Sequence, residues 1–252
     1  MKFLDLTLPS PAENLASDEV LLEACEENGG QEILRFWEAH EPFIVVGYAN
    51  KIATEVNVVA CKERNIPIFR RCSGGGTVLQ GAGCLNYALI LQITENSPLT
   101  GISSANRFIM EKNRAAIESE VRGRRPEAGI LVCGHTDLSL VTRHSSPITS
   151  KKFSGNSQRR KKNFLLFHGT FLLNLDVALM SELLRMPSKQ PDYRQSRSHD
   201  EFLTNLNLPA AGIKNALKKN WSVTEELPDF PKAEIQKLAA KKYSTNEWNF
   251  KF

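Results

Sequence analysis

The sequence lacks any apolar run long enough to cross a membrane, and its opening "MKFLDLTLPSPAENLASDEV" has no apolar core of signal-peptide length. A cytoplasmic protein is therefore expected, with no membrane partner. Cysteine is sparse: Cys25, Cys61, Cys72, Cys84 and Cys133 are scattered, odd in number and without CxxC spacing. That pattern argues against a disulfide framework and a thiolate zinc site, and reads as reduced thiols. There is no GxGxxG fingerprint, no GK[ST] after a glycine loop, and no internal repeat or low-complexity tract. Charge of one sign is also scarce. The net charge of +4 is a mild bias toward acidic or phosphorylated partners and does not mark a nucleic-acid binder.

What is present suits an ordinary globular chain. Its 252 residues, 41% hydrophobic and 24% charged, suffice for one large domain with or without a small appendage. "AENLASDEVLLEACEENGG" predicts a first helix, with Leu15, Leu22 and Cys25 near one face and a Gly29-Gly30 stop. "EILRFWEA", "FIVVGYAN", "IPIF", "CLNYALILQI", "DLSLVT" and "FHGTFLLNLD" predict strands, and residues 105–122 the best mid-chain helix. The residues between "DLSLVT" and "FHGTFLLNLD" read as a polar, basic connection. After Val177 the pattern turns to helical pieces joined by Pro-rich links. Strands and helices do not alternate strictly, so a mixed α+β fold is expected over a doubly wound sheet.

Two stretches carry chemistry. "RRCSGGGTVLQGAGCLNYALIL" (70–91) runs two arginines into a serine and three glycines. Consecutive glycines admit φ > 0 and let a ligand reach backbone N–H groups, while arginine forks suit phosphate or carboxylate. The same residues would also make a plain Gly-rich turn with solvent-facing arginines. "SKKFSGNSQRRKKNFLLFHGTFLLNLD" (150–176) sets Lys151 and Lys152 before a small-residue turn and ends in His168-Gly169-Thr170. A fixed ammonium there could hold negative charge developing on a carbonyl or phosphoryl oxygen. Its bland counterpart is a solvated, charged hairpin, and His168 alone reads as a hydrogen-bonded interior histidine.

The ordered series "RRCSGGGTV", "LNYAL", "TDLSL", "KKFSGNSQRR", "FHGTFLLNLD" resembles the lipoate–protein ligase family over roughly residues 10–180. That family's pattern is an RRxSGGG loop, an (N/T)DL strand, a KxSGxAxR turn and an HGTLLxxxD strand. The resemblance implies the α+β fold shared with biotin–protein ligases, a mixed, largely antiparallel sheet flanked by helices. It implies a catalytic domain over 1–185 and a helical extension over 186–252 packed on it. The implied reaction activates lipoate or octanoate with ATP and Mg2+ to an acyl-adenylate. The acyl group then passes to a lysine of a lipoyl carrier domain, of a 2-oxoacid dehydrogenase complex or a glycine cleavage H-type protein.

By the KxSG register Lys152, not Lys151, is the implied catalytic ammonium. Gly74, Gly75 and Gly76, with Ser73 and Thr77, match the loop along acyl chain and adenylate, and Arg70 and Arg71 the paired arginines beside it, at least one touching phosphate. Asp137 matches an aspartate near the adenylate and its metal. Ser154, Gly155, Asn86, His168, Gly169 and Thr170 are the remaining implied binding residues, and Val46 and Val78 are candidates to sheath the fatty tail.

Two departures stand out. Gln80-Gly81-Ala82-Gly83-Cys84-Leu85-Asn86 replaces an HDxGN segment, and the short C-terminal remainder leaves room for a separately encoded accessory-domain protein. One rival is an ATP-independent octanoyltransferase or amidotransferase with Cys133 as thioester nucleophile beside His135. Its register is offset by the insertion "RHSSP". The other is a non-catalytic binder of lipoyl domains.

Overall fold

The computed structural model describes residues 1–142 and 149–252; the insertion "RHSSP" lies outside them. Among the described residues, eight strands form the main sheet, in the order β11 (Glu225–Glu226), β1 (Lys2–Asp5), β2 (Ile33–Glu38), β6 (Cys84–Gln92), β10 (Phe164–Leu172), β9 (Lys151–Arg160), β8 (Asp137–Thr142), β7 (Ala128–Cys133). β1 runs parallel to both its neighbours and every other pairing in this sheet is antiparallel. A small second sheet orders β4 (Ile68–Arg70), β3 (Phe43–Val46) and β5 (Val78–Gln80). The expected α+β class, with helices on a mostly antiparallel sheet, is what the chain adopts.

Strand parity sorts the core. On β6, Leu85, Tyr87, Leu89 and Leu91 face α4 (Ile102–Arg124) and α7 (Ala210–Asn220), together with Phe167 and Phe171 of β10. The opposite face sets Ala88, Ile90 and Leu166 against α1 (Pro11–Asn28) and the C-terminal α8 (Lys232–Leu238). Arg35, Asn86, His168 and Thr170 alternate with the first set and so belong to this second face. The small sheet packs over it through Phe43, Val45 and Val78. A polar row on an otherwise apolar sheet face, roofed by a second sheet, is how the fold makes room for a ligand.

The helix expected at the start is closed by a Ser10–Glu13 capping box and ends at Gly29 with φ +60. One expectation needs correction. "KKFSGNSQRR" is not a turn or a connection but the ten-residue strand β9, held between β10 and β8. Its composition hid this, because its polar side chains line a cavity and an edge instead of a core. The C-terminal remainder also does more than add helices. It contributes β11 to the sheet edge, and α9 (Asn246–Asn249) packs on β4.

Candidate functional site

A cavity of about 350 Å³ opens between the polar row and the small sheet, within the size range of small-molecule sites. Val45 and Val78 line it; Val46, one residue out of phase, is buried in the core on the other side of β3. The expected Val46 contact is thus corrected to Val45, by strand parity.

The glycine loop joins β4 to β5. Gly75 has φ +82, and a Cβ on Gly47 would stand 2.1 Å from the Gly75 carbonyl oxygen, so the loop and the end of β3 are in backbone contact. Arg71 shapes the loop from inside, donating to Ser73 Oγ (3.2 Å) and to the carbonyls of Gly74 and Gly76. Burial pushes its guanidinium down to about 10, still cationic at neutral pH, and it borders the cavity. Arg70 does not. Its side chain is 0% exposed and donates to the carbonyls of Gly47 (2.8 Å), Asn50 (2.8 Å) and Asn249 (3.0 Å). Of the two arginines, at least one of which was expected to touch phosphate, Arg71 is the one on the cavity, while Arg70 rivets the C-terminal segment to the loop that follows β3.

Beneath the loop runs a buried chain of four residues. Ser73 Oγ lies 2.6 Å from His168 Nε2, His168 Nδ1 lies 2.8 Å from Asp18 Oδ2, and Arg35 Nη1 donates to Asp18 Oδ1 at 2.8 Å. Burial alone would raise the Asp18 carboxyl, but the His168 hydrogen bond and the Arg35 charge outweigh it and hold the group below its ordinary range. A carboxylate only accepts, so His168 Nδ1 is the donor to Asp18, and Nε2 is left facing the Ser73 hydroxyl. Asp18 escaped the sequence reading. Its signal was an acid on the helical stripe Leu15, Asp18, Leu22, Cys25.

Lys152 projects from β9 onto the cavity wall, its Nζ 2.8 Å from Asp137 Oδ1. The Tyr193 hydroxyl donates to the other oxygen, Asp137 Oδ2, at 2.7 Å. Lys151 is exposed and off the cavity. Gly155 leaves the space the ammonium uses, since a Cβ there would meet Nζ at 2.8 Å. Gly155→Ala is expected to displace the ammonium and lower any turnover that uses it by about a hundredfold while the melting temperature stays within a few degrees. Paired turnover and thermal-unfolding measurements check this. Tyr193 is a second residue that sequence reasoning missed. It reaches Lys152 through the shared Asp137 carboxylate, and Thr204 N donates to the Lys152 carbonyl at 2.9 Å.

Thr77, Asn86, Ser154, Gly169 and Thr170 border the cavity as well, whereas Ser73 and Gly74 are off its wall. Cys133 ends β7 and pairs with Asp137 across the hairpin; its Sγ is buried, 3.8 Å from Ser150 Oγ. Cys133 is not on the cavity wall, nor is any of the other cysteines, although His135 is. Burial pushes the Cys72 and Cys84 thiols up to about 11 and about 12, so both are protonated at neutral pH. Asp137 has both oxygens engaged, and among the described residues no group of three or more His, Cys, Asp or Glu is placed to hold a metal.

The acids on the wall are matched: Asp18 by Arg35 and His168, Asp137 by Lys152, and Glu55 by the Ser188 hydroxyl. Arg71, Arg185 and Lys189 add cationic groups to the same wall. The balance favours an anionic ligand with an apolar body.

The family model for the lipoyl protein ligase A/B catalytic domain matches residues 10–223. An octanoyltransferase LipM from Anoxybacillus flavithermus is 26% identical, over 99% of this chain and 98% of its own length. A lipoate-protein ligase A subunit 1 from Thermoplasma acidophilum is 28% identical, over 94% of this chain and 90% of its own. Among solved structures, the bipartite lipoate protein ligase from Thermoplasma acidophilum, described with its E2 lipoyl domain, superposes with a TM-score of 0.80. Its identity is 25%, over 99% of this chain and 95% of that one.

Proposed function

Because the chain belongs to the lipoyl protein ligase A/B catalytic domain family, we propose that it activates lipoate or octanoate with ATP and passes the acyl group to a lysine of a lipoyl carrier domain. The observation that carries this reading is the Lys152 ammonium on a cavity wall that holds no thiol. Without a cysteine at the acyl group, activation falls to the phosphoryl anhydride of a nucleotide. The carboxylate attacks the α-phosphorus, pyrophosphate leaves, and the carrier amine displaces AMP. Lys152 turns from Asp137 to the acyl carbonyl and bridging oxygen, stabilising the charge that grows in both steps. Arg71 holds the glycine loop against the same groups. Mg2+ bound with the nucleotide would supply counter-charge to its phosphates.

The test is lipoate-dependent ATP–pyrophosphate exchange with the purified chain, alone and with lysate. Exchange that appears only with lysate identifies a separate accessory protein as necessary. Cys133→Ala is expected to keep exchange and transfer within about threefold of wild type, the thiol being buried off the wall. Absence of exchange, with acyl transfer from an octanoyl carrier protein, would sink the ligase reading.

The LipM relatives favour a second reading, octanoyl transfer without ATP. It requires Cys133, beside the cavity residues His135 and Asp137, to rotate inward and form the thioester. Loss of transfer in Cys133→Ala then decides for it. Association with a lipoyl domain without either activity would instead support the non-catalytic binder. Among the described residues no helix is long and apolar enough to cross a membrane.

A further inference from the structure

Five buried side-chain polar atoms among the described residues have no hydrogen-bond partner. Two of them, Gln80 Oε1 and Asn86 Nδ2, belong to residues that line the cavity, each 4% exposed. They are the two ends of one chain: Gln80 Nε2 donates to Thr170 Oγ1 (2.7 Å), and Thr170 Oγ1 donates to Asn86 Oδ1 (2.6 Å). The free ends are thus one acceptor and one donor. Turning both amides over and reversing the hydroxyl gives a free donor on Gln80 and a free acceptor on Asn86, so the complementarity survives either assignment. An orphaned buried polar group is costly, and a native fold keeps one where something else completes it.

The sheet register locates this pair relative to the reacting end. Asn86 pairs with Thr170, and Thr170 with Gly155, the residue over which the Lys152 ammonium sits. Neighbouring strands are about 4.8 Å apart, so the chain lies one to two strands, about 5–10 Å, from that ammonium. A ligand group there is only a few bonds from a carboxyl or phosphoryl group held by Lys152.

We infer that Gln80, Thr170 and Asn86 form a subsite for a ligand hydroxyl, which donates to one amide and accepts from the other. The hydroxyl is either a ribose hydroxyl of the nucleotide or one near the carboxyl end of a medium-chain acid. The choice of these two probe classes rests on the acyl-activation reading above; the subsite itself rests on the orphaned atoms.

Calorimetric binding to the full chain tests it. The pairs are AMP against its 2′-deoxy and 3′-deoxy forms, and 3-hydroxyoctanoate against octanoate. In wild type, one pair is expected to favour the hydroxylated partner by about tenfold, corresponding to one net hydrogen bond. That preference should fall to within about twofold in both Gln80→Met and Asn86→Leu, and the discriminating pair names the source of the hydroxyl. Absence of a preference beyond twofold in wild type, preference surviving in both variants, or no binding of any probe at millimolar concentration overturns the subsite. The wild-type comparison stands even if a variant fails to fold. A chain without ATP–pyrophosphate exchange that retains the preference loses the proposed reaction and keeps the subsite.

Discussion

Lys152→Ala is expected to lower acyl transfer by about a thousandfold or more, the scale of losing a preorganised donor to developing charge. The side chain is one-quarter exposed, and Asp137 keeps the Tyr193 hydroxyl as a hydrogen-bond donor when the ammonium is gone, so the fold should tolerate the change. Unfolding temperature is then a control: a loss of turnover with an unchanged transition assigns the effect to chemistry. Lys152→Arg separates charge from position. A guanidinium keeps the charge but is a planar fork on a different stem, and the gap over Gly155 fits the compact ammonium. Its turnover should stay at least tenfold below wild type. Turnover near wild type in Lys152→Ala would remove the ammonium from the reaction.

Arg35→Met is expected to destabilise the protein by about 3–5 kcal/mol, because it leaves the Asp18 carboxylate buried without its cation. Arg35 is 0% exposed, so water cannot stand in. The sign of the pH dependence follows from Asp18, whose folded value is depressed below the ordinary 3.8. Its contribution is fully present above that value and is lost as pH falls through the folded one. Removing Arg35 raises the folded value, so acid unfolding should begin at higher pH in the variant. Denaturant titrations from neutral pH down to about pH 3 check both parts, and the variant's m-value should match wild type. Equal stability of the two proteins across that range would show that the ion pair contributes nothing net.

The residues differ in how far their roles could be read without coordinates. Lys152 and Gly155 stand three apart in one motif, so the resemblance picks out both, while only the fold shows that the glycine leaves the ammonium its space. The glycine loop was visible directly, since backbone access is written in residue type. The arginines before it were not: fork geometry suits a phosphate and a cluster of carbonyls equally, and only the fold shows Arg70 spent on Gly47, Asn50 and Asn249. The strand at 151–160 was concealed because a cavity-facing strand carries polar residues where a core-facing one alternates. Tyr193 and Asp18 act on Lys152 and His168 from 41 and 150 residues away, beyond any local pattern.

The sequence alone determined the class of fold and the glycine loop, because each depends on residue types adjacent in the chain, and the family resemblance implied Lys152 as the ammonium through the KxSG register. Tertiary structure alone decided which arginine meets the cavity, whether a thiol does, and which acids hold the lysine and histidine. Those are contacts between segments that parity and strand order bring together, and a side chain's role is set by the partner that leaves it free or takes its donors.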